Sequence, residues 1–187
     1  MIHDGYKEYS WKDVEKAAEK IVLQMYRTNW RPDYIVGLTR SGLPLATILS
    51  YKTDIKMHTL NVSLNADGSE GADCEVNCWM AEDAFGYNNT ETVTGARWDP
   101  GLRKNILIVD SINKQEKFEW IKKDWESSCL PNESAVWSTV WRRNVKFATM
   151  TYTWRTAPGG TSIIRPEYYA NEISKESTSG VYFPWEI

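Results

Sequence analysis

The sequence predicts a single α/β domain in which a mostly parallel sheet is flanked by helices. Residues 106–109 (ILIV) form a continuous apolar run without alternation, which is typical of a parallel strand covered on both faces. Residues 34–38 form a second such run, followed by a short loop and a helical pattern that starts near Pro44. The 187 residues suffice for one such domain and are too few for two ordinary ones.

The first predicted helix follows Ser10. Ser10 and Asp13 have the spacing of a capping box, and apolar residues then recur at steps of three and four. Those residues are Trp11, Val14, Ala18, Ile21 and Met25. An amphipathic helix that ends near residues 27–29, before Pro32, follows from this pattern.

The loop at residues 39–43 joins the strand at residues 34–38 to the helix at residues 44–51. Backbone N–H groups and a helix N-terminus at such a loop favour an anion, and Arg40 adds a full positive charge. The loop matches neither the G-x-G-x-x-G nor the G-x-x-x-x-G-K-[ST] pattern. The alternative is that Arg40 only caps a surface turn.

Residues 56–64 alternate like a strand with one wetter face. Residues 65–103 are then rich in Gly, Asp, Asn and Thr and lack strong periodicity. In a compact domain such a segment is usually a lid or a binding loop. The alternative is a small hairpin subdomain used for packing or dimerisation.

Asp110 stands at the carboxyl end of the apolar run, where ligands bind in open α/β sheets. The alternative is that Asp110 caps the next helix, which we expect at residues 117–127. Residues 147–154 predict a further strand, followed by a turn at residues 157–160. For residues 135–141 a strand and a short helix both remain open.

Composition narrows the class of protein. The formal net charge of −3 gives no uniform basic surface for nucleic acid. No apolar run approaches the roughly 20 residues of a membrane span, and the first ten residues lack the apolar region of a signal peptide. We therefore expect a cytoplasmic protein with no nucleic-acid or membrane partner. Three cysteines without a second ligand pair predict free thiols rather than zinc.

Two stretches together resemble the type I phosphoribosyltransferases. They are YIVGLTRSGLPLA (residues 34–46) and NILIVDSINKQEKF (residues 105–118). Those enzymes pair a strand and an Arg-Ser/Gly-Gly turn with a later apolar strand that ends in two acids and a phosphate-cupping loop. The likeness is nearest to the bacterial-type purine branch (xanthine, guanine, hypoxanthine), and it covers residues 9–63 and 104–187 in order and spacing.

The resemblance implies a phosphoribosyltransferase-like domain spanning residues 1–187, with residues 65–103 as a hood over the site. It implies transfer from phosphoribosyl pyrophosphate (PRPP) to a purine base, with Mg²⁺ as cofactor and a homo-oligomeric state. The pyrophosphate contacts would be Thr39, Arg40, Ser41 and Gly42, with Arg40 and Asp110 catalytic and Asp110 at the metal. The ribose and 5′-phosphate loop would contain Asp110, Ser111, Asn113, Lys114, Gln115 and Lys117. The base-binding residues would be Arg155, Tyr182, Phe183 and Trp185.

The phosphate loop departs from the family pattern of two acids, two residues and then Asp-Thr-Gly-Lys/Gly-Thr. Ser111 replaces the second acid, and Lys114 stands where the base-facing Asp would be. Gln115 and Glu116 replace the Thr-Gly pair, so Glu116 places a carboxylate beside a phosphate. Lys114 and Lys117 compensate only in part, as point charges.

These departures leave three functions open. The first is a purine phosphoribosyltransferase for PRPP and a purine base, whose activity the altered phosphate loop weakens or abolishes. The second is a nucleotide-binding or regulatory module on the same fold. The third is a structural protein whose aromatic lid is an interaction surface, since fold alone does not fix function.

Overall fold

In a computed structural model of the chain, the described residues are 2–3, 6–64, 70–72, 74–88, 97–112, 115–128, 134–154, 164–174 and 180–186. The helices are α1 (Trp11–Arg27), α2 (Leu43–Thr53), α3 (Cys74–Phe85), α4 (Gln115–Ser128) and α5 (Ser134–Trp137), with a 3-10 turn at Pro100–Leu102. The strands are β1 (Ile2–His3), β2 (Tyr6–Glu8), β3 (Tyr34–Thr39), β4 (Met57–Leu64), β5 (Glu70–Ala72), β6 (Tyr87–Asn88), β7 (Arg97–Trp98), β8 (Ile106–Ile112), β9 (Val145–Trp154), β10 (Tyr168–Ser174) and β11 (Gly180–Tyr182).

The central sheet has the strand order β10-β9-β8-β3-β4-β5. The five strands from β10 to β4 are parallel to their neighbours, and β5 pairs antiparallel with β4. In the middle of the sheet Val36 lies opposite Ile108, which lies opposite Phe147. The predicted fold class, a mostly parallel sheet flanked by helices, is therefore confirmed.

The apolar run of β8 is buried on both faces of the sheet. Ile108 packs in one core cluster with Phe118 of α4, whereas Leu107 packs in the other cluster with Ile21 of α1. Because successive strand residues point to opposite faces, an unbroken apolar run needs helices on both sides. This arrangement leaves the end of β8 as the place where a polar residue can face a crevice.

Helix α1 begins with the predicted capping box. Asp13 N donates to Ser10 Oγ at 3.3 Å, and Ser10 N donates to Asp13 Oδ2 at 2.9 Å. The hydrogen bonds from the Ser10 side chain and backbone lower the pKa of Asp13. Near its other end α1 covers the edge strand β10. There Gln24 Nε2 donates to Tyr169 O at 2.8 Å, and Gln24 Oε1 accepts from Tyr169 N at 3.1 Å.

Several elements were not predicted, among them α3 and β10. Helix α3 lies within residues 65–103 and buries Met80, Ala84 and Phe85 in a core cluster, so part of this segment belongs to the core. Strand β10 forms the far edge of the sheet. Residues 65–69, 73 and 89–96 lie outside the described residues, and the hood function of the segment stays a prediction. None of the described helices is both long and apolar enough to cross a membrane.

Candidate functional site

The candidate site lies at the carboxyl ends of β3 and β8. The chain leaves β3 through a cis peptide bond between Thr39 and Arg40 and enters α2 at Leu43. Gly42 is the N-cap of α2 and supplies no side-chain hydrogen bond to the helix. Gly42 N donates to Leu38 O at 2.9 Å, Leu43 N donates to Arg40 O at 3.3 Å, and Pro44 has no N–H. The helix terminus therefore favours an anion chiefly through its dipole.

The loop after β3 is tied to the end of β8. Ser41 Oγ donates a hydrogen bond of 2.7 Å to Asp110 Oδ1, which also accepts from Ser111 N at 2.8 Å. Asp110 is only 1 % exposed. The two loops that the sequence singles out therefore meet in space. Asp110 Oδ1 serves this junction.

Gly42 makes this junction possible. An added Cβ would lie 2.9 Å from both Asp110 Cα and Leu38 O, and closer still to Val109 O. The φ angle of Gly42 is −78°, which any residue adopts, so the need for glycine is steric. Because the backbone of β8 occupies this space, glycine is required here for the β3 loop to pack against β8.

Lys117 provides the other partner of Asp110. It lies in the first turn of α4, and its Nζ donates to Asp110 Oδ2 at 3.2 Å. The side chain of Lys117 is 11 % exposed and that of Asp110 is 1 % exposed, so the ion pair is buried. Burial of either charge alone would be costly, which holds the two residues together. The sequence suggested a phosphate contact for Lys117, but its ammonium lies against this carboxylate.

The surroundings of Asp110 do not fit a directly coordinated Mg²⁺. Mg²⁺ requires oxygen ligands in a near-octahedral arrangement. Both oxygens of Asp110 already accept hydrogen bonds, and one of them is paired with an ammonium group. Within the described part of the chain, no group of three or more His, Cys, Asp or Glu residues could hold a metal ion. No step of the chemistry below is therefore assigned to a metal at Asp110.

The remaining residues of the predicted phosphate loop are only partly described. Ser111 is 1 % exposed, and its Oγ has no hydrogen-bond partner among the described residues. Asn113 and Lys114 lie outside the described residues, as does the side chain of Gln115 at the start of α4. Their predicted contacts with ribose and phosphate stay predictions.

The C-terminal tail reaches the β3 loop. Trp185 and Glu186 line a cavity of about 480 Å³ together with Arg40 and Ser41. Glu186 Oε2 accepts a hydrogen bond of 3.0 Å from Phe183 N, which closes the turn that presents Trp185. The sequence did not single out Glu186, although its place directly after Trp185 offered a signal.

Phe183 and Tyr182, two further predicted base-binding residues, are not among the residues that line this cavity. Phe183 is 2 % exposed and stacks between Tyr9 and Trp185, with ring centroids 5.6 and 5.0 Å away. Tyr182 is 45 % exposed in β11 and packs against Tyr6. Arg155 lies outside the described residues. Of the three tail aromatics, the structure places Trp185 beside the β3 loop and uses Phe183 to support it.

Two acids of residues 65–103, Asp83 and Asp99, have partners away from Asp110. Asp83 pairs with Lys104 at 3.0 Å, and Asp99 Oδ1 accepts from Gly101 N at 2.8 Å. Asp83 also lies near Tyr34, where burial first and this carboxylate second raise the pKa of the phenol. Tyr34 begins β3, so Asp83 lies at the opposite end of the strands from Asp110.

A larger groove of about 780 Å³ lies elsewhere, between α1 and the edge strand β10. It contains several cations, but Arg142 pairs with Glu167 at 3.1 Å and Lys146 donates to Tyr168 Oη at 3.1 Å. Lys20 donates to the backbone oxygen of Ala170. These three cations stabilise the edge of the sheet, and none of the described residues of the predicted site lines the groove.

The strand order and the two loops at the carboxyl edge define the fold of the type I phosphoribosyltransferases. No family model matches the chain, and no curated protein matches it. Several solved structures, however, are similar to it. A purine phosphoribosyltransferase from Pyrococcus horikoshii Ot3 is similar, with 19% identity and a TM-score of 0.60 over 98% of this chain and 95% of that chain.

Two further structures show the same fold. The Helicobacter pylori xanthine-guanine-hypoxanthine phosphoribosyltransferase has 17% identity and a TM-score of 0.59, covering 99% of this chain and 95% of that one. A hypothetical protein from Neisseria gonorrhoeae with bound ppGpp has 13% identity and a TM-score of 0.57, covering 99% and 91%. Likeness at these identities establishes the architecture.

Proposed function

We propose that the protein binds PRPP and a purine base at the crevice formed by the β3 loop, the end of β8 and the tail, and transfers the phosphoribosyl group slowly. The observation that carries this proposal is the hydrogen bond from Ser41 to Asp110. It holds the loop that carries Arg40 over the end of β8, beside Trp185.

The chemistry requires positive charge where pyrophosphate leaves. Arg40 is exposed at the cavity and precedes the N-terminus of α2, and both features stabilise a developing anion. The hydroxyl proton of Ser41 is donated to Asp110, and Gly42 N and Leu43 N donate to backbone oxygens, so the Arg40 guanidinium is the main group offered to the anion. Trp185 offers an aromatic surface at the same cavity for a purine ring.

The weak rate follows from Asp110. A carboxylate that is 1 % exposed and bound to Ser41 and Lys117 is not available to hold a ribose hydroxyl. Asp110 therefore acts as a positioning residue for the β3 loop. Ser111 supplies no second carboxylate.

The second candidate is a nucleotide-binding or regulatory module without turnover. The buried ion pair between Asp110 and Lys117 favours it, because a carboxylate held in this pair is not available for the chemistry of transfer. The Neisseria gonorrhoeae structure with bound ppGpp is an example of a guanine nucleotide on a similar architecture. Both candidates place a phosphorylated ligand at the same crevice.

Isothermal titration of the full chain with PRPP, followed by xanthine, guanine and hypoxanthine, tests the proposal, and a turnover assay follows. We expect PRPP to bind and nucleotide to form slowly. Binding of a nucleotide without any product supports the regulatory module. Absence of binding by PRPP and by every purine nucleotide would overturn both candidates.

Two predictions for the whole molecule also need direct measurement. If residues 65–103 form a hood over the site, proteolysis of this segment should be slower when PRPP is present. The predicted homo-oligomer is tested by light scattering of the full chain. A cytoplasmic location is proposed from the sequence pattern.

A further inference from the structure

The end of β8 carries one buried negative charge and one buried positive charge. Asp110 supplies the carboxylate and Lys117 the ammonium, at 3.2 Å, while Ser111 contributes no charge. The two charges cancel, so the net charge of Asp110, Ser111 and Lys117 together is zero. A divalent cation is attracted by an excess of negative charge, and the described residues at this strand end provide none.

We propose that Lys117 is the resident cation of this site and that the site binds the metal-free form of a phosphorylated ligand. This inference rests on the proposed function, since it concerns the same crevice. It differs from the expectation that Mg²⁺ is required at Asp110. The ligand class is a free pyrophosphate or PRPP anion.

The geometry allows Lys117 to serve both partners. An ammonium group has three N–H donors, and the hydrogen bond to Asp110 Oδ2 uses one of them. The Lys117 side chain is 11 % exposed and that of Asp110 is 1 % exposed, so the ammonium is the more accessible member of the pair. Ser41 and Lys117 bind the two oxygens of one carboxylate, which places the ammonium beside the loop that carries Arg40.

A metal ion would have to displace Lys117 from Asp110. The displaced ammonium would then be buried without its partner, which is strongly unfavourable. Mg²⁺ in solution also binds pyrophosphate oxygens and lowers the negative charge that Arg40 and Lys117 recognise. Added Mg²⁺ should therefore leave the affinity unchanged or reduce it.

Titration of the full chain with inorganic pyrophosphate and with PRPP, once in EDTA and once in excess MgCl₂, tests the inference. We expect both ligands to bind in EDTA, with Mg²⁺ tightening binding by less than about threefold, well under the tenfold that corresponds to 1.4 kcal/mol. Binding that appears only with Mg²⁺ overturns the inference and leaves the proposed function standing. If neither ligand binds in either buffer, the proposed function fails and the inference fails with it.

Variants of Asp110 and Lys117 test whether Lys117 is responsible for the metal-independent binding. Since removal of Lys117 alone leaves Asp110 without its cation, both charges are removed together in Asp110→Asn/Lys117→Gln. We expect this pair to bind pyrophosphate in EDTA about tenfold more weakly, because one ligand-facing cation is lost. Lys117→Arg retains the charge and should retain metal-independent binding. Lys123→Gln, an exposed change on the same helix, is the matched control and should bind like the wild type.

Circular dichroism checks that each variant is folded. If the folded neutral pair binds pyrophosphate in EDTA as tightly as the wild type, Lys117 is not the cation and the proposal is overturned. If Lys123→Gln weakens binding as much as the neutral pair, the effect is one of overall charge and the proposal is likewise overturned. If the neutral pair is unfolded, the proposal is tested by the comparison of binding in EDTA and in MgCl₂, made with the wild type and with Lys117→Arg.

Discussion

Ser41 Oγ lies 2.7 Å from Asp110 Oδ1, and this hydrogen bond joins two residues that are 69 positions apart in the chain. It fastens the loop after β3 to the end of β8. The same carboxylate holds the first turn of α4 through Lys117. Because one buried group connects both loops of the candidate site, the stability of the fold and the shape of the site are coupled.

Ser41→Ala should therefore destabilise the protein. The change removes a hydrogen bond to a buried carboxylate, and such bonds contribute about 2 kcal/mol. The free energy of unfolding in urea measures the loss. Ser127→Ala is the control, because Ser127 is exposed and bonds only to the neighbouring Asp124 O, so a change within about 0.5 kcal/mol is expected. Equal effects of the two substitutions would contradict the role assigned to Ser41.

Gly42→Ala should displace the β3 loop. The new methyl group would collide with the backbone of β8 at Val109 and Asp110 and with that of β3 at Leu38, and overpacking of this kind costs about 2 kcal/mol. We expect a lower free energy of unfolding together with weaker binding of pyrophosphate. Gly101→Ala is the matched control, because its added Cβ meets only the side chain of Asp99, at 3.1 Å. Normal stability of Gly42→Ala would show that the loop has room to move.

Much of the fold could be predicted because its central strands have a simple pattern. The predicted strands at residues 34–38, 106–110 and 147–154 correspond to β3, β8 and β9. Their apolar side chains are buried on both faces, and burial of this kind leaves a mark in the sequence. The capping box of Ser10 and Asp13 is likewise local in sequence.

The unpredicted parts depend on distant contacts. Strand β10 mixes tyrosines with polar residues, and its edge is satisfied by Gln24 of α1, which no local pattern reveals. The partner of Asp110 was missed for a related reason. The pattern predicted a helix from Lys117, and the resemblance implied a phosphate-loop role for this residue. Helix α4 begins two residues earlier, at Gln115, and the Lys117 ammonium points back to β8.

Arg40→Gln should weaken the binding of pyrophosphate about tenfold, which corresponds to 1.4 kcal/mol. The reason is the loss of the guanidinium that lines the cavity at the N-terminus of α2. Calorimetric titration gives the affinity. Arg27→Gln is the control in the larger groove beside α1. If Arg27→Gln weakens binding and Arg40→Gln does not, pyrophosphate occupies the larger groove instead.

Ser10→Ala should lower stability in a pH-dependent way. Loss of an N-cap costs about 1 kcal/mol. Hydrogen bonds from Ser10 lower the pKa of Asp13 below its usual value of 3.8, so this contribution is present above pH 3.8 and is lost as the pH falls through the folded-state pKa. The difference between wild type and variant in urea should therefore shrink in acid. A difference that stays constant down to strongly acidic pH would contradict a contribution from Asp13.

Rebuilding the phosphate loop tests how much activity the altered residues withhold. Ser111→Asp alone should recover little, because losses of several groups within one site are not additive. Adding Lys114→Asp, Gln115→Thr and Glu116→Gly removes the carboxylate next to the phosphate and restores the backbone freedom of glycine. We expect this four-residue variant to bind PRPP more tightly and to turn over a purine faster than the single variant.

The family pattern would also require Phe118→Thr, and here the structure argues against the substitution. Phe118 is fully buried, and its ring centroid lies 4.3 Å from that of Phe147 in the core. Its loss should cost about 3 kcal/mol or more. The variant that retains Phe118 should therefore melt higher and be more active than the five-residue variant, as melting temperature and turnover will show. If the unmodified protein instead converts a purine at about 10 per second, the median for enzymes, the altered loop is competent as it stands and the assignment of a weak rate is wrong.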